Sequence, residues 1–97
     1  MTYLIDLLFK ARKEIFESWV WYEKQEVGLG DRFDDEVFRK IALIAENPLH
    51  YPMKKRLREV TTDTFPFLIV YKVNKIDKLI MIVSVFHTSR HPSRKRK

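Results

Sequence analysis

The 97-residue chain has no cysteine, which removes disulfides, thiolate nucleophiles and Cys-ligated zinc and makes a reducing cytoplasm the expected location. Only 2 glycines and 4 prolines are present, too few for a collagen-like or low-complexity chain. No apolar run reaches the roughly 18 residues of a membrane-spanning helix, and Met1-Thr2-Tyr3 lacks the basic start of a secretory signal, so neither membrane insertion nor export is expected. His50, His87 and His91 are too scattered for a metal site, and no metal or other cofactor is expected. Acidic residues are scarce in one half only. Residues 49–97 carry 12 Lys/Arg and 3 Asp/Glu, a balance of +9, whereas residues 1–48 carry 7 and 10, a balance of −3; the two sum to the overall +6. This polarity points to an anionic partner, either nucleic acid or an acidic protein.

Hydrophobic residues make up 45% of the chain, enough for one core at this length. Tyr3 to Leu8 is a short apolar run that suits a buried strand. From Lys10, the apolar positions Ala11, Ile15, Trp19 and Tyr22 recur at helical spacing, with Lys13, Glu14, Glu17 and Lys24 outside. Gly28-Leu29-Gly30 interrupts this helix. The acids Asp31, Asp34, Asp35 and Glu36 suit the start of a second helix, whose face is Phe33, Val37, Ile41 and Ile44 and which ends at Asn47-Pro48. Arg56 to Thr62 then reads as a strand. Phe67 to Val73 and Leu79 to Phe86 read as two central strands joined by the turn Asn74-Lys75-Ile76-Asp77.

The expected fold is therefore α+β, in the order β-α-α-β-β-β, with a helical hairpin packed on one face of a small, mainly antiparallel sheet. Residues 1–92 form the domain and 93–97 a basic tail with nothing to bury, expected to be disordered. Two helices cover one sheet face. Since Phe67, Ile69 and Tyr71 alternate with Leu68 and Val70, an apolar patch is expected on the other face, covered by a partner element.

Trp21-Tyr22-Glu23-Lys24-Gln25, Gly28-Leu29-Gly30-Asp31-Arg32-Phe33, Glu46-Asn47-Pro48, Tyr51-Pro52, Phe65-Pro66-Phe67, Tyr71 and Val85-Phe86-His87, in this order, resemble the RelE/ParE superfamily of bacterial toxins, often labelled plasmid stabilisation proteins. The resemblance spans nearly the whole chain and implies a toxin held off by a cognate acidic antitoxin, with a homodimer left open. RelE-like members cut messenger RNA on the ribosome without a metal, using the RNA's own 2′-hydroxyl. Such chemistry needs cations on the phosphate and a general acid or base. The candidates here are His87, Arg90 and Arg58 for catalysis and Lys54, Lys55 and Arg56 for substrate binding. The alternative is a ParE-like protein that inhibits DNA gyrase by binding, or a relict that only binds its antitoxin. Two departures count against the nuclease: no basic residue stands early in the Phe67 strand, and Thr88-Ser89 follow His87 where many RelE-like nucleases carry a Tyr. A histidine ending an apolar strand is also commonly structural, and a Lys-rich edge commonly a solvated one that deters aggregation.

Overall fold

The computed structural model describes residues 3–89; Arg90 and the tail expected at 93–97 lie outside the described residues. The chain runs through β1 (Leu4–Leu7), α1 (Phe9–Gln25), α2 (Leu29–Glu46), β2 (Met53–Lys54), β3 (Leu57–Thr61), β4 (Phe67–Asn74) and β5 (Leu79–His87). The expected order is present, with the two-residue β2 added ahead of the expected third-from-last strand. The sheet order is β1-β5-β4-β3-β2, with β1 parallel to β5 and every other pair antiparallel.

Both helices bury the face that their spacing marks. Ala11, Ile15 and Tyr22 are buried on α1, and Phe33, Val37, Ile41 and Ile44 on α2. They meet Phe67, Ile69 and Tyr71 of β4 and Ile80, Ile82 and Val85 of β5 in one core. Tyr22, Phe33, Phe65 and Phe67 form its aromatic centre, with ring centroids 4.7 Å apart for Phe33–Phe67 and 4.9 Å for Tyr22–Phe65. Removing a side chain such as Phe33, which is fully buried, costs about 3–5 kcal/mol in a packed core.

The helical hairpin differs from expectation at its turn. Gly28 alone adopts a left-handed conformation, φ 92°, and Gly30 already lies inside α2. The reason is tertiary. A Cβ on Gly30 would sit 2.8 Å from the Trp19 carbonyl oxygen and 2.9 Å from the Trp19 ring, so glycine permits the close approach of the two helices. The Glu23 carboxylate closes the turn by accepting hydrogen bonds from the Gly28 and Gly30 amides, both at 2.9 Å.

A β-bulge sits in β5. Val70 pairs with Ser84 but Tyr71 pairs with Ile82, which leaves Val83 opposite nothing and returns Val85 to the core side. β1 pairs only with Leu79 to Ile82, so β5 runs on past its neighbour. There the Glu14 carboxylate of α1 takes over, accepting hydrogen bonds from the Val85 amide at 2.9 Å and the Ser84 hydroxyl at 2.8 Å.

The second sheet face corrects the sequence reading. Leu68 and Val70 are only 6% and 7% exposed, because each lies on the central strand between neighbours: Leu68 between Thr61 and Phe86, Val70 between Glu59 and Ser84. Exposed apolar side chains lie elsewhere, on the edge strands at Leu4 and Met53 and on the helices at Phe9, Phe16, Phe38 and Leu43.

Candidate functional site

Four basic residues of the second half, Lys54, Lys55, Arg56 and Arg58, share one hairpin. β2 and β3 pair through Met53 with Arg58 and Lys54 with Leu57, and the Arg56 amide donates to the Lys54 carbonyl at 3.1 Å, closing a three-residue turn centred on Lys55. Lys55 holds φ at 58°, a conformation that costs a non-glycine residue on the order of 1 kcal/mol. Lys54, Lys55 and Arg56 are all exposed, so the tip presents three cations to solvent from a backbone in a sparsely populated conformation.

Arg58 is used differently. Its Nη1 donates to the Tyr51 carbonyl at 2.8 Å and more weakly to the Leu49 carbonyl at 3.4 Å. Opposite it on β4, the buried Tyr71 hydroxyl donates to the Pro48 carbonyl at 2.7 Å. The two side chains together fasten the segment between α2 and β2 to the sheet. Burial pushes the Tyr71 phenol up to about 12, an effect that the nearby Arg58 charge opposes.

His87 closes β5. Its Nδ1 accepts a hydrogen bond from the Ser89 amide at 3.1 Å and lies 3.2 Å from the Ser89 hydroxyl, an arrangement that puts the neutral ring's proton on Nε2. The ring meets Phe67 edge to face, with centroids 5.3 Å apart. His87 pairs with Phe67, and Arg58 with Tyr71. Four residues along the strands and two strand spacings across therefore separate the two positions, roughly 16 Å between Cα atoms at ~3.3 Å per residue and ~4.8 Å per strand. Thus Lys54, Lys55, Arg56 and Arg58 come together at one end of the sheet, and His87 lies at the other. Among the described residues no group of three or more His, Asp or Glu side chains could hold a metal ion, and no helix is long and apolar enough to cross a membrane.

The sequence reading missed one feature, a groove of about 480 Å³ along the outer seam of α1 and α2, lined among others by Arg12, Phe16, Trp19, Asp34 and Phe38. Its signal was present in the spacing. Phe9, Arg12, Phe16 and Trp19 form a second stripe on the first helix, adjoining the buried one.

This helical hairpin on a five-stranded sheet with a parallel β1–β5 pair is shared with solved chains of two toxin–antitoxin systems. The chain is similar to one from the chromosomal ParDE system of P. aeruginosa, with a TM-score of 0.78 and 13% identity over 89% of this chain and 96% of that one. It is also similar to the intact E. coli RelBE complex, with a TM-score of 0.68 and 17% identity over 91% and 99% of the two chains. For the isolated E. coli RelE toxin the TM-score is 0.66, with 16% identity over 96% and 92%. No curated protein matches the sequence. Residues 5–92 match the ParE toxin of the type II toxin–antitoxin system, parDE, and the chain belongs to this family.

Proposed function

We propose that this toxin acts by binding DNA gyrase, with Lys54, Lys55 and Arg56 contacting the target, and not through a messenger-RNA cleavage centre that joins His87 to Arg58. A nuclease centre needs its acid or base and its phosphate-holding cations within reach of one scissile group, a few ångströms apart. The observation that carries the reading is the separation of His87 from Arg58, together with the engagement of the Arg58 guanidinium by main-chain carbonyls. An exposed, strained, triply cationic tip suits a binding surface. The partner that holds the toxin off is an acidic antitoxin, complementary to the +9 half of the chain, and the pair works in the cytoplasm.

The test compares wild-type protein with a variant carrying Lys54→Glu, Lys55→Glu and Arg56→Glu. Purified wild-type protein is expected to inhibit gyrase supercoiling and trap cleaved DNA, and the triple variant to do neither while melting at the same temperature. Primer extension on induced cells is expected to show no codon-positioned cuts. Such cuts, abolished by His87→Ala and accompanied by unaffected supercoiling, would restore the nuclease and refute the proposal.

A further inference from the structure

The groove on the outer seam of the helices carries unpaired charges of both signs. Phe16 is 63% exposed and Phe38 43%, and Phe9, one turn beyond Arg12, is 73% exposed. At one end of the groove the Trp19 indole donates to Asp31 Oδ1 at 3.0 Å. Arg12 lies two turns earlier on α1, about 10 Å away along the helix axis. Among the described residues, neither Arg12 nor Asp34 has an ion-pair partner, and Asp34 Oδ1 is buried without a hydrogen-bond partner. The groove therefore has a cation at one end, carboxylates toward the other and exposed phenylalanines between.

We propose that this groove is a self-association surface, on which two copies pack their helical hairpins antiparallel about a two-fold axis and the Arg12 of each meets the Asp34 and Asp31 carboxylates of the other. A two-fold interface uses the same patch on both copies, so the patch must be complementary to itself when reversed end to end. A patch of one sign fails that condition. This one meets it, since reversal sets cation against carboxylate twice. Long-range charge favours the same face: residues 1–48 carry −3 and residues 49–97 carry +9, so contact through the helices keeps the two strongly basic halves apart. Burial together with the neighbouring Asp31 and Asp35 charges raises the Asp34 carboxyl above its ordinary range, a penalty that an incoming guanidinium relieves. The exposed phenylalanines supply the apolar centre that a specific interface requires. The basic tip at Lys54 to Arg56 takes no part and stays available.

Sedimentation velocity of the purified full chain from low micromolar to submillimolar concentration provides the test. The expected result is a monomer of 11.8 kDa in reversible equilibrium with a species of twice that mass. Arg12→Glu and Asp34→Arg should each weaken association about tenfold or more, because each places like charges together across the axis. Mixing the two variants in equal amounts should restore association above that of either variant alone, since both contacts between positions 12 and 34 then join opposite charges and only the one between the substituted position 12 and Asp31 is left repulsive. Phe16→Ser should weaken association with all charges intact. Circular dichroism melts establish that each variant is folded. A wild-type chain that stays monomeric throughout overturns the proposal, as does a mixture that associates no better than either variant alone.

Discussion

Gly30→Ala isolates the closest approach in the fold. On propensity alone the change should help, since alanine in a helix interior is favoured over glycine by about 1 kcal/mol. The structure reverses the sign. The new Cβ would lie 2.8 Å from the Trp19 carbonyl oxygen, 2.9 Å from the Trp19 ring and 2.8 Å from Glu23 Oε1. Two of these contacts belong to flexible side chains, but the carbonyl belongs to the backbone of α1, which cannot move without separating the helices. Overpacking of this kind costs roughly 1–3 kcal/mol. Displacing Glu23 also disturbs its bonds to the Gly28 and Gly30 amides, worth about 1.5–3 kcal/mol for a charged acceptor. A net loss of about 2–4 kcal/mol is expected, a fall in Tm on the order of 10–20 °C for a domain this small. Thermal and urea melts followed by far-ultraviolet circular dichroism read it directly. Gly28 is the control, because nothing lies within 4 Å of a Cβ there and only its φ of 92° is at issue. Gly28→Asn, which tolerates the left-handed region, should be nearly neutral. A Gly30→Ala protein as stable as wild type refutes the reasoning.

Glu14→Ala should cost about 1.5–3 kcal/mol, since it leaves the Val85 amide and Ser84 hydroxyl without their charged acceptor; a urea midpoint equal to wild type would count against it. Lys55→Gly relieves the φ of 58° and should raise stability by about 0.5–1 kcal/mol while reducing gyrase inhibition, so stability and activity must move in opposite directions. With Tyr71 pushed up to about 12 in the fold and near 10 when unfolded, the folded state keeps a proton that the unfolded chain releases. The stability this contributes is complete below pH 10 and is lost as pH rises from about 10 toward about 12. Urea midpoints measured across that range should fall less steeply for Tyr71→Phe, and parallel declines would reject the assignment. Deleting residues 93–97 should leave Tm unchanged and weaken nucleic-acid binding, with the log–log salt slope reduced by roughly 0.7–0.9 per lost phosphate contact; a large drop in Tm would show that the tail is packed.

The helix faces and the central strands could be read from the sequence because their signals are local. Phe33, Val37, Ile41 and Ile44 repeat with the helical period whatever they pack against, and Phe67 to Val73 is apolar on both sides because β4 is central. The charge imbalance and the run Lys54-Lys55-Arg56 likewise belong to composition, and so does the order of motifs that marks the toxin family. What tertiary structure alone decided are relations between residues far apart in the chain. Gly30 reads as part of a turn until Trp19 is beside it. The bulge at Val83 exists only in the register of β4 on β5, and β2 is too short to signal itself. Arg58 reads as a free cation until the Tyr51 and Leu49 carbonyls fold over it, and its distance from His87 follows from strand pairing. The Arg12 and Asp34 charges of the outer groove lie on different helices, so only the packing of α1 on α2 brings them to one surface. Periodicity records which face of an element is buried; pairing register and helix approach, which set what each polar side chain meets, leave no periodic trace.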